Sequence, residues 1–247
     1  VDDDQLLRYS RQIMLPEFDV AGQQALLAAR VLVVGLGGLG SPVTLYLAAA
    51  GIGQLVLVDD DIVDASNLQR QILHGDGDLG RSKAASAADR VRDLNASIHV
   101  TTIDRRLAGA ELDAAVAAAD VVVDATDNLS TRYALNRACL DHHRPLVSAA
   151  AIRFEAQLST FDARNPASPC YRCLWPEATD QDAACAENGV IAPLVGIVGS
   201  LQAMEVVKLV TGTGRPLVGR LLVFDALQGT FDEFRLARRK DCIDCGA

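Results

Sequence analysis

The chain alternates short apolar runs with longer segments of mixed polarity. Apolar runs at 31–34, 55–58, 98–102, 121–123 and 146–148 predict strands. Between them, 41–50, 82–94, 112–119 and 132–142 predict helices, and their richness in alanine favours that state. Ahead of the first strand, 5–30 predicts helix, interrupted at Pro16 and Gly22. Strand and helix in regular alternation imply a parallel sheet with helices on both faces.

The texture changes after Ala151. Residues 154–161 alternate like a strand of an antiparallel sheet, and 162–189 are polar and proline-containing. Residues 193–210 predict a helix, with Pro193 near its start and Gly212 past its end. Residues 221–224 and 230–236 predict a closing hairpin around Gln228-Gly229. The expected fold is α/β: a Rossmann-like, mostly parallel sheet continued by an antiparallel C-terminal part. One domain is expected over 1–247, its nucleotide-binding half at 1–150 and its second half at 151–247, with a mobile crossover loop near 174–189.

Half of the residues are hydrophobic, which suits a sizeable core rather than disorder. The net charge of −9, from 32 acidic and 23 basic residues, disfavours a nucleic-acid partner. The apolar stretch 190–201 is too short to span a bilayer, so no membrane partner is expected. The opening VDDDQLLRYS is acidic and polar, unlike a secretory leader, and a cytoplasmic location is expected.

The first strand opens into Gly35-Leu36-Gly37-Gly38-Leu39-Gly40, which fits G-x-G-x-x-G at Gly35, Gly37 and Gly40. Such glycines allow a tight turn and let backbone N–H groups approach phosphate at a helix N-terminus. Asp59 ends the next strand, where an acid meets ribose hydroxyls. This pattern predicts a nucleotide site without choosing between NAD and ATP. Arg70 and Lys83 follow, either as surface cations or as partners of the β- and γ-phosphates; a pyrophosphate leaving group needs the latter. Asp127 follows the strand at 121–123 and stands where ligands bind in an open parallel sheet, placed to hold Mg²⁺ against phosphates. Asp124 reads as a helix N-cap or turn residue.

Six cysteines are present. Cys170, Cys173, Cys242 and Cys245 form two C-x-x-C pairs that suit a closed tetrahedral zinc site of structural type. Cys139, in an alanine-rich helix, reads as core packing.

The motifs R-Y-S-R-Q-I (8–13), G-L-G-G-L-G-S-P (35–42), S-N-L-Q-R-Q (66–71), Lys83, D-A-T-D-N (124–128), C-Y-R-C (170–173) and C-I-D-C-G (242–246) follow one another in order. Together they resemble the MoeB/ThiF adenylyltransferases, relatives of the ubiquitin-activating enzymes, over almost the whole chain. The resemblance implies ATP- and Mg²⁺-dependent adenylation of the C-terminal glycine of a ubiquitin-like sulfur carrier. It implies ATP contacts at Gly38, Asp59, Asn67, Arg70, Gln71 and Lys83, a Mg²⁺-associated acid at Asp127, and a homodimer in which Arg11 enters the partner's site. Cys185 matches a family cysteine linked, in the thiazole branch, to covalent attachment of the carrier; the alternative is a spare thiol. Cys170–Pro176 and Arg8–Arg11 lean towards the thiazole (ThiF) branch, whereas Ala192-Pro193-Leu194 and Met204-Glu205 lean towards the molybdopterin (MoeB) branch. No rhodanese-like segment is expected in these residues, so a separate protein would donate the sulfur. Two rivals are an NAD-dependent oxidoreductase and a non-catalytic zinc-stabilised binder of ubiquitin-like proteins. The first leaves Arg70, Lys83 and Asp127 without a joint task.

Overall fold

The computed structural model describes residues 1–176 and 189–246. Its centre is an eight-stranded sheet of order β3-β2-β1-β4-β5-β6-β7-β8. The parallel part comprises β1 (Arg30–Val34), β2 (Gln54–Val58), β3 (His99–Ile103), β4 (Val121–Asp124) and β5 (Pro145–Ile152). The antiparallel continuation comprises β6 (Glu155–Asp162), β7 (Arg220–Asp225) and β8 (Thr230–Arg235). The helices are α1 (Asp3–Ile13), α2 (Asp19–Ala28), α3 (Gly40–Ala50), α4 (Lys83–Leu94), α5 (Gly109–Ala117), α6 (Leu129–Asp141), the short α7 (Tyr171–Leu174) and α8 (Ala192–Thr211).

The apolar runs are unbroken because the parallel strands are covered on both faces. Val31, Val33, Leu55, Leu57, Val121 and Val123 enter one core with α3 and α8. Their neighbours Leu32, Val34, Val56, Val58 and Val122 enter the other with α5 and α6. A strand's period of two divides each run between the faces.

Several expectations change. Gly22 does not interrupt a helix: it lies inside α2, where a Cβ would come within 2.9 Å of the Phe18 ring. The break falls at 14–18, between α1 and α2, around Pro16. β5 extends to Ile152 because β6 pairs with its whole length. The late apolar segment is also longer than expected. α8 runs for 20 residues with a mean hydropathy of 1.5, enough by length and composition to cross a membrane. Its setting is that of a core helix, however. It packs on α3 and on the sheet, and its buried Gln202 donates to the Asp124 carbonyl at 2.9 Å. Its buried Glu205 accepts from Thr160 and from the Leu217 N–H and pairs with Lys208.

Candidate active site

The sheet order reverses between β1 and β4, whose carboxyl ends part to leave a crevice. A cavity of about 530 Å³ opens there. That lies within the ~300–1,000 Å³ typical of small-molecule sites. Gly35, Gly37, Gly38, Asp59, Arg70, Gln71, Lys83 and Asp127 all line it, so residues spread over nearly a hundred positions converge on one space.

The turn after β1 requires glycine twice. Gly35 adopts φ +91°, and a Cβ there would lie 2.6 Å from the Ala125 carbonyl oxygen. A Cβ on Gly40, the first residue of α3, would lie 2.0 Å from the Gly35 carbonyl oxygen. Gly40 therefore shapes the loop without lining the cavity. The loop lies close against β4, β2 and α8. Gly35 N–H donates to the Val58 carbonyl at 2.9 Å, and a Cβ on Gly38 would meet Val195 at 3.3 Å.

Asp59 directly follows β2, beside this loop. Its Oδ2 accepts the Leu36 N–H at 2.7 Å and its Oδ1 accepts the Asp61 N–H at 2.9 Å. Burial raises its pKa above the usual carboxylate range, against the two backbone donors. Each oxygen keeps a second lone pair for a ligand hydroxyl.

Lys83 is not a surface cation. It is the first residue of α4, capped by Ser82, and its side chain is only 6% exposed. Its Nζ donates to Asp61 Oδ2 at 2.9 Å, at the rim of the cavity. Arg70 is half-buried, with Nη1 donating to the Ser66 carbonyl at 3.1 Å. Gln71 is buried, and its Oε1 has no hydrogen-bond partner. Asn67 lies outside the lining, its amide turned to Ser66 Oγ at 3.3 Å.

Asp127 is exposed on the loop between β4 and α6. Asp124 does not cap α6; Asn128 does, through its side chain and the Thr131 N–H at 3.0 Å. Nor is Asp124 a turn residue: it ends β4, fully buried, accepting from the Thr126 N–H at 3.1 Å and from Ser148 Oγ at 2.6 Å. Arg132, which the sequence pattern did not single out, pins this loop from α6. Its Nη2 donates to the Thr126 carbonyl and, at 3.0 Å, to the Ala149 carbonyl, while its Nε lies 3.8 Å from Asp124. His74 was missed as well: it is buried behind the glycine loop, bonded to Leu36 and Ser86.

Arg11 lies apart. It is exposed in the last turn of α1 and is not among the residues lining this cavity. Cys185, and most of the crossover segment it was assigned to, lie outside the described residues.

Outside the cavity lining, against α6, Cys170, Cys173, Cys242 and Cys245 come together, buried, with their sulfurs within 4.8 Å of one another. The Sγ···Sγ distances include 3.9 Å for Cys170–Cys173, 3.6 Å for Cys170–Cys242 and 3.4 Å for Cys173–Cys245. A tetrahedral zinc with Zn–S bonds of ~2.3 Å sets S···S edges of ~3.8 Å, so the donor set fits a closed metal site. Asp244 ties the two pairs together, accepting from Asn136 at 2.8 Å and lying 3.4 Å from Arg172. Cys139 packs in the core, its thiol pKa pushed up by burial.

The model of the ThiF family matches residues 9–245. The molybdopterin-synthase adenylyltransferase of Escherichia coli is 46% identical over 246 residues, covering 100% of this chain and 98% of that protein. The sulfur carrier protein ThiS adenylyltransferase of the same organism is 45% identical, covering 100% of this chain and 97% of that protein. Among solved structures, Escherichia coli MccB with ATP superimposes with a TM-score of 0.82 at 22% identity, over 97% of this chain and 73% of that one, a likeness of fold alone. The family match spans the glycine loop, the cavity-lining residues and the paired cysteines, and the chain belongs to the ThiF family.

Proposed function

We propose that this chain is an ATP-dependent adenylyltransferase acting on the C-terminal glycine carboxylate of a ubiquitin-like sulfur carrier. The observation that carries this reading is the convergence of the glycine loop, Lys83, Arg70 and Asp127 on one cavity. A hydride-transfer enzyme has no use for two cations and an acid around a terminal phosphate. Adenylation needs them, because charge moves onto pyrophosphate as it leaves. Relatives 45–46% identical along the whole chain are adenylyltransferases by name.

The chemistry is a displacement at phosphorus. A carrier carboxylate oxygen bonds to the α-phosphorus, the bond from that phosphorus to the bridging oxygen breaks, and the electron pair leaves with pyrophosphate. The product is a mixed anhydride, an acyl donor that the free carboxylate is not. The glycine-loop N–H groups hold phosphate oxygens, Asp59 takes the ribose hydroxyls, and Gln71 supports the nucleotide. Lys83 and Arg70 screen the leaving group. Most of the acceleration is alignment and charge stabilisation. Asp127 is the residue that would hold Mg²⁺, which would neutralise phosphate charge there. The four-cysteine site holds structural zinc; four thiolates leave no open position for a substrate.

Arg11, remote from its own cavity, is assigned to the cavity of a partner subunit in a homodimer. Sulfur enters from a separate donor protein. A reducing compartment, the cytoplasm, suits four free thiolate ligands. Calorimetry tests the nucleotide assignment: ATP with Mg²⁺ binds and NAD does not, whereas tight NAD binding without ATP binding refutes it.

A further inference from the structure

His74 is buried with both ring nitrogens engaged. Nε2 lies 3.1 Å from the Leu36 carbonyl oxygen, inside the glycine loop. Nδ1 lies 2.8 Å from Ser86 Oγ, on the first turn of α4. A carbonyl oxygen only accepts, so Nε2 carries a proton, while Nδ1 bonds the Ser86 hydroxyl, which also bonds Asp78. Leu36 is also held through the preceding peptide, its N–H donating to Asp59 at 2.7 Å. The two peptides that flank the Leu36 Cα at the start of the phosphate-facing turn are therefore fixed by an acid just after β2 and by an imidazole.

Three cavity-lining parts meet at this one residue, two of them at its ring. The glycine loop meets it through Leu36. The helix that begins with Lys83 meets it through Ser86, three residues further on. The segment carrying Arg70 and Gln71 meets it through the main chain, since the His74 N–H donates to the Gln71 carbonyl at 3.0 Å.

We propose that His74 is the positioning residue that holds the glycine loop, the Arg70–Gln71 segment and the Lys83 helix in one register around the nucleotide phosphates. The inference rests on the reading of the cavity as an ATP site. His74 itself does not line that cavity and touches no reacting atom. Its effect reaches ATP through the parts it fixes. Those parts contact phosphate before and during the reaction alike, so the loss of their alignment falls on binding more than on turnover.

The test compares the intact protein with His74→Phe, His74→Gln and Ser86→Ala, reading ATP KM and kcat in carrier-dependent exchange and ATP Kd by calorimetry without carrier. His74→Phe keeps the ring's bulk and removes both hydrogen bonds. It raises KM and Kd about tenfold, the worth of a hydrogen bond or two, with kcat changed less. His74→Gln keeps an N–H donor for Leu36 and regains most of the lost affinity. Ser86→Ala leaves the ring untethered on one side and raises KM about threefold. A purely structural role gives another signature, a smaller folded fraction that lowers kcat and leaves KM alone; that outcome, or unchanged KM and Kd, overturns the inference. Should His74→Phe fail to fold, Ser86→Ala decides, and an unchanged KM overturns the inference. Failure of the unmodified protein to bind ATP removes the nucleotide reading and the inference together. Normal binding by the unmodified protein with indifferent variants removes the inference alone.

Discussion

Lys83 Nζ and Asp61 Oδ2 stand 2.9 Å apart at the rim of the cavity, the lysine side chain 6% exposed and the aspartate side chain 70% exposed. The pair is asymmetric: the cation is held in the protein while its counter-ion stands in water. An arriving polyphosphate must compete with Asp61 for the ammonium group. Asp61→Asn removes the competitor and tightens ATP binding by about two- to fivefold, a modest effect because an exposed carboxylate is well screened. Calorimetry at low and high salt measures it, with the gain shrinking in salt. Weaker binding by the variant would mean that Asp61 orients Lys83 rather than competing for it.

The metal site makes a separate prediction. Elemental analysis finds about one zinc per chain, as four thiolates require. Cys242→Ser lowers both zinc content and melting temperature, because the site fastens residues 242–245 to the segment at 170–173. Metal-free protein with an unchanged melting curve would show that the four cysteines pack as ordinary core residues.

Stability should depend on pH through His74. Burial lowers its pKa, against the raising effect of its Leu36 hydrogen bond, and the charge of Lys83 lowers it further. Asp78 and Asp59 face the ring and raise it. In the unfolded chain the imidazole titrates near its ordinary value, ~6.5. Below that value the unfolded state binds a proton that the folded state resists, so stability falls as pH falls and levels off below the lowered folded value. Melting temperature should drop between about pH 7 and about pH 5 in the unmodified protein and drop less in His74→Gln, which has no proton to take up. Equal slopes for the two proteins would show that His74 is protonated as readily folded as unfolded.

Much of this arrangement was legible in the chain because it is local. The apolar runs at β1 and β2 announce strands covered on both faces, and Gly35 and Gly40 announce a turn in which side chains collide. The two C-x-x-C pairs announced one another across 72 residues because four thiolates have few other uses in a reducing compartment. What stayed hidden depends on tertiary contact. Spacing alone left Lys83 open between surface and site; only the pairing of α4 with the Asp59–Asp61 turn buries it. Gly22 looked like a helix breaker, yet Phe18 needs the missing Cβ. His74 sits in a turn-rich polar segment, and its two partners are 38 and 12 residues away. Arg132 looked like one more helical cation until the 124–128 loop folded back over it.

Arg11 tests the dimer. It is exposed on α1 and absent from its own cavity lining, so an action in trans predicts complementation between two inactive proteins. Arg11→Ala mixed with Asp127→Ala gives heterodimers with one doubly damaged site and one intact site. Activity returns in the mixture while each parent stays inactive. No recovery, with subunit exchange verified independently, would assign Arg11 a role within its own subunit or none.

The central claim is carrier-dependent adenylation, and exchange of labelled pyrophosphate into ATP tests it most directly. The purified protein is assayed with Mg²⁺ and each candidate ubiquitin-like carrier, beside the same carrier lacking its C-terminal glycine and beside Asp127→Ala. The account predicts exchange only with an intact carrier. It also predicts a loss of two or more orders of magnitude in Asp127→Ala, at an unchanged melting temperature, since metal and phosphate positioning supply most of this chemistry. Exchange that ignores the carrier's terminal glycine, or that survives in Asp127→Ala, would contradict it.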